Sequence, residues 1–529
     1  MSKLGYVGLG ALVASAGLVV SVQAGTPGPI QAIYTKNPLS PTSVVPGAVD
    51  LAGDPVVTNF RAMESLTLSP DGSLWFIRAR NQLGGDLETT TLMGSGLTGT
   101  TFVQEGQPVP DGEAGELVEF FGSGYTGQFN DDNHFAFALR ARGGVASVFQ
   151  KVIEWDGTTF TKRFQMGDLY TGLQDAAPNP SGDETVGNSI GSIHILNSGV
   201  IGSQDSSVLN ISTTRRPVAA YNLNGFAQNN VTTVTNFAGD GIDIVTNIAA
   251  GMFYTTTDGS SYGYVGDVSG APTNAVIIND KVALRQGQAI PGSTALFNDG
   301  NALRAHGTSI YVRGSTTLPT GGFLWRDDTL LVGPETAITN EVTSGPAETW
   351  VGGFSGFAAN RKGDWVLAGK SNRDAAEDDV MVLNGTTVIV REGDPVDVDG
   401  NGMFDDDAFI GRGVNTNSAW VTDSIGLSDD GWVYFLANIR NGAGQDIQSN
   451  PSFGTPNALL RVRAFTPPPV DCPGDANGDN MIDAADLSVL LSNFGGPAAG
   501  PEFGDFNGDG QCDGADLSVL LSQFGTTCK

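Results

Sequence analysis

DANGDNMIDAAD, Asp475 to Asp486, and DFNGDGQCDGAD, Asp505 to Asp516, spell one twelve-residue loop twice, thirty positions apart. Loop positions 1, 3, 5, 9 and 12 carry side-chain oxygens in both copies: Asp475, Asn477, Asp479, Asp483, Asp486, then Asp505, Asn507, Asp509, Asp513, Asp516. A hard cation such as Ca²⁺ takes about six to eight oxygens, and the backbone carbonyl at position 7, here Met481 or Gln511, supplies one more. Position 12 is Asp where an EF-hand has Glu. The spacing therefore predicts two calcium sites, one per loop.

Each loop runs into the same decapeptide with one change, DLSVLLSNFG from Asp486 and DLSVLLSQFG from Asp516. Leu487, Leu490, Leu491 and Phe494 fall at i, i+3, i+4 and i+7, the apolar stripe of a short helix closed by Gly495. Two loop-helix units with no entering helix resemble the type I dockerin domain over residues 471–529. Asn480 at position 6 departs from the usual Gly but tolerates left-handed backbone. The resemblance implies a cohesin-like or cell-surface protein as docking partner. It also implies that recognition uses residues before and within each helix: Ala484, Ala485, Ser488 and Val489, and then Gly514, Ala515, Ser518 and Val519.

Charge agrees. The chain has 57 acids against 27 Lys and Arg, net −30. The last 59 residues hold ten carboxylates against Lys529 alone, −9 of that total. Phosphate binding needs concentrated positive charge, so a nucleic-acid partner is excluded. With 73 glycines and 16% charged residues, the body reads as a turn-rich β protein.

Residues 1–24 read as a secretory signal peptide: Lys3, an apolar run LGYVGLGALVASAGLVV, then Val22-Gln23-Ala24 ahead of the cut. No later stretch is long and apolar enough for a stable membrane span after cleavage. The expected location is secreted, extracellular or cell-surface. Cys472, Cys512 and Cys528 all lie in the tail, and an odd count leaves one thiol over. A bridge between Cys472 and Cys528 would staple the module; Cys512 takes an inward loop position.

Between these ends, a polar turn followed by an alternating strand recurs: SPDGSLWFIRAR from Ser69, NDDNHFAFALRAR from Asn130, LNSGVIGS from Leu196, AAGMFYTTT from Ala249, AHGTSIYVRG from Ala305, NRKGDWVLAGK from Asn360 and SDDGWVYFLANIR from Ser428. A second signature, a β run ending in a small-residue turn, recurs as TFVQEGQPVP from Thr101, EWDGTTFTKRFQMGD from Glu154, KVALRQGQAIPG from Lys281 and NGTTVIVREGDPV from Asn384. Units of about four strands cannot bury both faces alone and stack radially. The expected body, residues 61–465, is an all-β propeller of about seven blades, with tandem β-sandwiches as the alternative. The strings at Ser69 and Ser428 resemble blade openings of secreted TolB-like and WD40-like propellers. Residues 25–60 are expected to form an arm or to close the ring, and Pro-rich 466–470 to link body and tail.

One more loop, DVDGNGMFDDDA from Asp397 to Ala408, fits the calcium spacing less completely. Asp397, Asp399, Asn401 and Asp405 match, with Met403 at the carbonyl position, but position 12 is Ala408 unless Asp406 or Asp407 swings in. The alternative is a solvated acidic hairpin.

No H-E-x-x-H, G-x-S-x-G or phosphate-loop motif is present. His134, His194 and His306 lie in or beside recurring strands and read as packing residues. The seven tryptophans sit mostly in strand-like runs. The favoured function is an exported calcium-binding protein whose propeller is a non-catalytic binding or scaffold body, attached through its tail. The alternative is an extracellular polysaccharide-degrading enzyme, hydrolase or lyase, acting on a glycan and delivered by that tail.

Overall fold

The computed structural model describes residues 28–37, 40–120, 127–144, 148–169, 184–187, 189–205, 217–221, 225–228, 230–334, 336–338, 348–411, 418–447, 457–464, 474–477, 481–496, 498, 500–506 and 511–526. The expected signal peptide, the Pro-rich linker, Cys472 and Cys528 lie outside these. Two compact units emerge, Thr26–Phe465 and one containing Thr466–Lys529.

The body is a propeller of antiparallel sheets. Among the described residues, five sheets have four or five strands, and a sixth group of five strands, between Thr233 and Arg285, closes on itself through one parallel pairing of Thr235 with Lys281. Their innermost strands are Phe60–Leu68, the two-residue Gln128–Phe129, Ile242–Thr255, Phe297–His306, Glu348–Ala359 and Trp420–Leu427. Between the second and third sheets stand two hairpins, Ile190–Ile195 with Ile201–Asp205 and Pro217–Tyr221 with Gly225–Gln228. Strand Ile190–Ile195 contacts the second sheet on one side and Ile242–Thr255 on the other, so the hairpins fill the remaining sector of the ring. The expected seven blades thus resolve into six complete ones and a sector of paired hairpins.

Five of the seven turn-then-strand strings mark the hairpin between the innermost and second strands of a sheet, not the start of a blade. SPDGSL leads into Trp75–Asn81, NDDNH into Phe135–Gly143, and SDDG into Trp432–Arg440. The second signature marks outermost strands, such as Thr98–Gln104 and Thr387–Arg391. The last sheet takes its outermost strand from the other end of the chain: Gln31–Thr35 pairs antiparallel with Asn457–Arg463, in the register Gln31 to Arg461.

Cores lie between neighbouring sheets. Trp75, fully buried, packs with Tyr34, Phe60 and Tyr434 where the first and last sheets meet. Its ring leaves no room beyond hydrogen at two neighbours. A Cβ on Gly94 would sit 2.1 Å from the indole, and one on Gly99 2.4 Å. Large aromatics bury about 150–250 Å² each, so such contacts dominate the ring's stability. No helix among the described residues is long and apolar enough to cross a membrane.

Candidate functional site

In the tail, helices α1 (Ala484–Asn493) and α2 (Gly514–Gln523) begin identically. Asp483 caps α1, its Oδ1 accepting from the Ala485 N–H at 2.7 Å; Asp513 does the same for α2 from Ala515 at 2.7 Å. Asp486 and Asp516 return the bond, accepting from the Asp483 and Asp513 N–H groups at 2.8 and 2.9 Å. This reciprocal box satisfies donors that a helix start otherwise leaves open. The D-x-x-D spacing ahead of an apolar run could have revealed it; the ligand reading alone missed the capping role.

The position-12 carboxylates also hold the loops. Asp486 Oδ1 accepts from the Ala476 and Asn477 N–H groups at 2.7 and 3.1 Å, and Asp516 Oδ1 accepts from Phe506 at 2.8 Å. Asp486 and Asp516 are fully buried, and Asp475 and Asp505 are buried at the other end of each loop. The structure therefore brings positions 1 and 12 inward in both copies. Met481 and Gln511 are exposed at position 7. Asp479, Asn507 and Asp509 fall outside the described residues.

The two units are bridged reciprocally. Ile482 exchanges backbone hydrogen bonds with Gly525 and Thr526 beyond α2 (2.6 and 3.0 Å), and Cys512 with Gly495 and Gly496 beyond α1 (2.7 and 3.0 Å). Ile482, Cys512, Leu490 and Leu520 form the core, and the Cys512 thiol donates to the Leu490 carbonyl at 3.3 Å. Leu491 and Phe494, expected on the inward stripe, are exposed, as are Leu521 and Phe524. Two ten-residue helices can bury only a narrow face against each other. Val489 and Val519 are half-buried.

The loop after Asp397 is tightly wound. Asp397 is buried and accepts from the Gly400 and Gly402 N–H groups at 2.8 and 3.0 Å. Carboxylate oxygens of Asp397, Asp399 and Asp406 lie within 4.8 Å of one another. Asp406, rather than Asp405, completes this group, held by the Val398 N–H at 2.7 Å. Asn401 bonds Asp399, and Met403 points outward, 56% exposed.

A cavity of about 530 Å³ follows the body's axis, walled by the innermost strands. Three carboxylates enter its wall, and each is met by arginine. Glu64 pairs with Arg78 and Arg80 at 2.9 and 2.6 Å, Asp131 with Arg361 at 3.4 Å, and Asp423 with Arg313 at 2.8 Å. No tryptophan lines it among the described residues. Trp75, Trp325, Trp350, Trp365, Trp420 and Trp432 are buried in the cores. His306 is in the wall, its ring 5.9 Å from Tyr311, and burial with Arg304 beside it pushes its pKa down to about 3. His194 packs on Phe253 at 5.2 Å, and His134 bonds Glu154 at 2.9 Å.

Residues 473–524 match the dockerin type I domain, so the tail is a module of that kind. No curated protein matches the chain significantly. Among solved structures, the Dos1 propeller is 10% identical with a TM-score of 0.34, over 82% of this chain and 94% of that one. Apo prolyl oligopeptidase B from Galerina marginata is 11% identical, TM-score 0.33, over 77% of this chain and 52% of that one. The chain thus spans about half the peptidase's length. An oligogalacturonate lyase in complex with manganese is 13% identical, TM-score 0.24, over 76% and 77% of the two chains. Likeness at this level says nothing about chemistry.

Proposed function

We propose that this protein is an exported, calcium-binding display protein: a non-catalytic propeller held to a cohesin-type or cell-surface partner through its dockerin tail. The observation that carries the reading is the duplication of the tail, two loop-helix units with the same caps and reciprocal backbone bridges. Dockerin modules belong to extracellular assemblies, which agrees with a signal peptide at 1–24. Each tail loop would hold one Ca²⁺, through Asp475, Asn477, Asp479, the Met481 carbonyl, Asp483 and Asp486, and through Asp505, Asn507, Asp509, the Gln511 carbonyl, Asp513 and Asp516. A third ion would sit at Asp397, Asp399 and Asp406. The binding role of the body is supported by a cavity whose three carboxylates are all ion-paired, because a general acid or base must be able to exchange a proton.

The test is capture of the full chain on immobilised type I cohesin, with calcium and with excess EDTA. Retention in calcium, release by EDTA and loss in the Asp475→Ala/Asp505→Ala double variant are expected. Calcium-independent retention, or none in calcium, overturns the docking reading. Release of reducing ends or unsaturated products from a panel of acidic and neutral polysaccharides overturns the non-catalytic one.

A further inference from the structure

Arg304 stands out in the cavity wall. It lies on the innermost strand Phe297–His306, one residue after the core residue Leu303 and two before His306. Its Nη1 donates to the Tyr254 hydroxyl at 2.7 Å and to the Leu303 carbonyl at 2.9 Å, and the guanidinium lies 4.7 Å over the Tyr254 ring. Those bonds use both hydrogens of Nη1 and fix the plane of the group. Among the described residues no acceptor meets Nε or Nη2. Among the described residues no carboxylate pairs with Arg304. The other arginine in the wall, Arg361, is committed to Asp131 and Asp429.

The Nε/Nη2 edge left open is a planar fork of parallel N–H donors, the geometry that takes a carboxylate through two bonds. The charge on the ligand is bounded by the surroundings. Arg304 offers one positive charge, and His306 next to it stays neutral at ordinary pH. Glu64, Asp131 and Asp423 in the same wall are already paired with other arginines, so among the described residues Arg304 is the wall's one cation without a carboxylate partner, which matches a ligand of single negative charge. The remaining wall mixes apolar side chains, such as Leu66 and Phe357, with Asn301 and Thr422, which suits a body bearing hydroxyls. The volume falls within the ~300–1,000 Å³ of small-molecule sites.

We infer that the central cavity binds a small, singly charged hydroxycarboxylate of the hexuronate class, with Arg304 gripping its carboxylate and Tyr254 holding Arg304 in place. This rests on the reading of the propeller as a binding body.

Isothermal titration of the full-length protein in calcium buffer, at near-neutral pH and constant ionic strength, tests it with three probes: D-glucuronate, D-glucose and inorganic phosphate. Glucuronate is expected to bind, and glucose, which carries a CH2OH in place of the carboxylate, to bind roughly 10- to 100-fold more weakly. Phosphate, a roughly even mix of mono- and dianion near pH 7 and without a hydroxyl-bearing ring to meet the rest of the wall, should bind more weakly than glucuronate. Arg304→Gln should weaken glucuronate to the level of glucose while the melting temperature holds. If that variant fails to fold, Tyr254→Phe, which removes only the hydroxyl acceptor, should weaken glucuronate and leave glucose unchanged. Equal affinity for glucuronate and glucose, tighter binding of phosphate, no binding of glucuronate, or indifference to both substitutions overturns the inference. Failure of this site leaves cohesin capture intact. Cleavage of a polyuronate would overturn the non-catalytic reading while leaving the Arg304 contact standing.

Discussion

Arg361 reaches across the mouth of the cavity to Asp131, Nη1 to Oδ1 3.4 Å, although the two residues sit in hairpins of sheets that are not neighbours in the ring. The same guanidinium donates from Nε to Asp429 at 2.6 Å. Asp131 in turn accepts from Asn197 at 2.7 Å and Thr257 at 3.0 Å. One arginine therefore links hairpins from several sectors at one rim, where each sheet turns from its innermost to its second strand.

Both partners are about one third exposed, 35% and 29%, so the contact is worth little in bulk terms. Exposed pairs contribute roughly 0.2–1 kcal/mol. Arg361→Ala also removes the one guanidinium that bonds both Asp131 and Asp429. We expect a loss of about 1 kcal/mol at low ionic strength that shrinks as salt screens the acids. Thermal melts across a salt series check it. A loss independent of salt would mean that Arg361 acts through packing instead.

The pair of Lys151 and Glu116 is a different case, because both side chains are fully buried at 2.9 Å. Lys151 also donates to Gln165 at 2.8 Å, and Glu116 accepts from the Glu113 N–H at 2.8 Å. Removing one ion strands the other in a dry site. Lys151→Met should cost about 3–5 kcal/mol, and Lys151→Met with Glu116→Leu should recover most of it. Denaturant unfolding of the two variants separates these outcomes. A double variant no better than the single would show that the site needs its charges.

Much of this architecture was legible because its signals are local. An Asp-Gly type turn ahead of an alternating run found the second strands at Trp75, Phe135 and Trp432. It failed at AAGMFYTTT, which is the end of the long strand Ile242–Thr255; the true hairpin is TTDGSSY, ahead of Tyr262–Val268. Innermost strands resist such reading. Phe60–Leu68 buries every third residue, through register shifts near Ala62 and Ser65, and so shows no clean alternation. The cavity's polar pairs were out of reach, since Arg313 and Asp423 are 110 residues apart. In the tail the ligand spacing was plain, but a four-residue apolar stripe does not say how much of it a two-helix module can cover.

Acid should destabilise the body through His194. Burial pushes its pKa down to about 4 from 6.5, its ring lying against Phe253 and its Nδ1 3.4 Å from the Ser192 carbonyl. The folded state refuses a proton that the unfolded chain accepts, so stability is complete above about 6.5 and falls as pH drops toward 4. The full effect is about 3 kcal/mol. His306, pushed down to about 3, adds a second contribution that extends from 6.5 down to about 3. Melting temperature against pH should fall less steeply between pH 6.5 and 4 in His194→Leu than in the parent. Parallel slopes would show that His194 takes its proton while folded.

The last prediction concerns the partner's grip on the tail. Leu491 on α1 and Phe494 at its C-cap are 57% and 49% exposed, and their counterparts, Leu521 on α2 and Phe524 at its C-cap, are 55% and 45% exposed. The reciprocal bridges through Ile482 and Cys512 relate the two helices by an approximate half-turn, so a partner that covers one apolar pair can cover the other after rotation. Exposed apolar pairs of this kind in a soluble module mark a contact surface. Leu491→Asp or Leu521→Asp alone should leave cohesin affinity within about twofold, since the loss of one of two equivalent modes costs only the statistical factor RT ln 2. Both together should weaken binding by roughly a hundredfold or more, in line with loss of a central apolar anchor. Helical circular dichroism in calcium should be unchanged in all three, because none of these side chains lies in the core of Ile482, Leu490, Cys512 and Leu520. A large loss from one single substitution, with the other silent, would establish a single docking orientation.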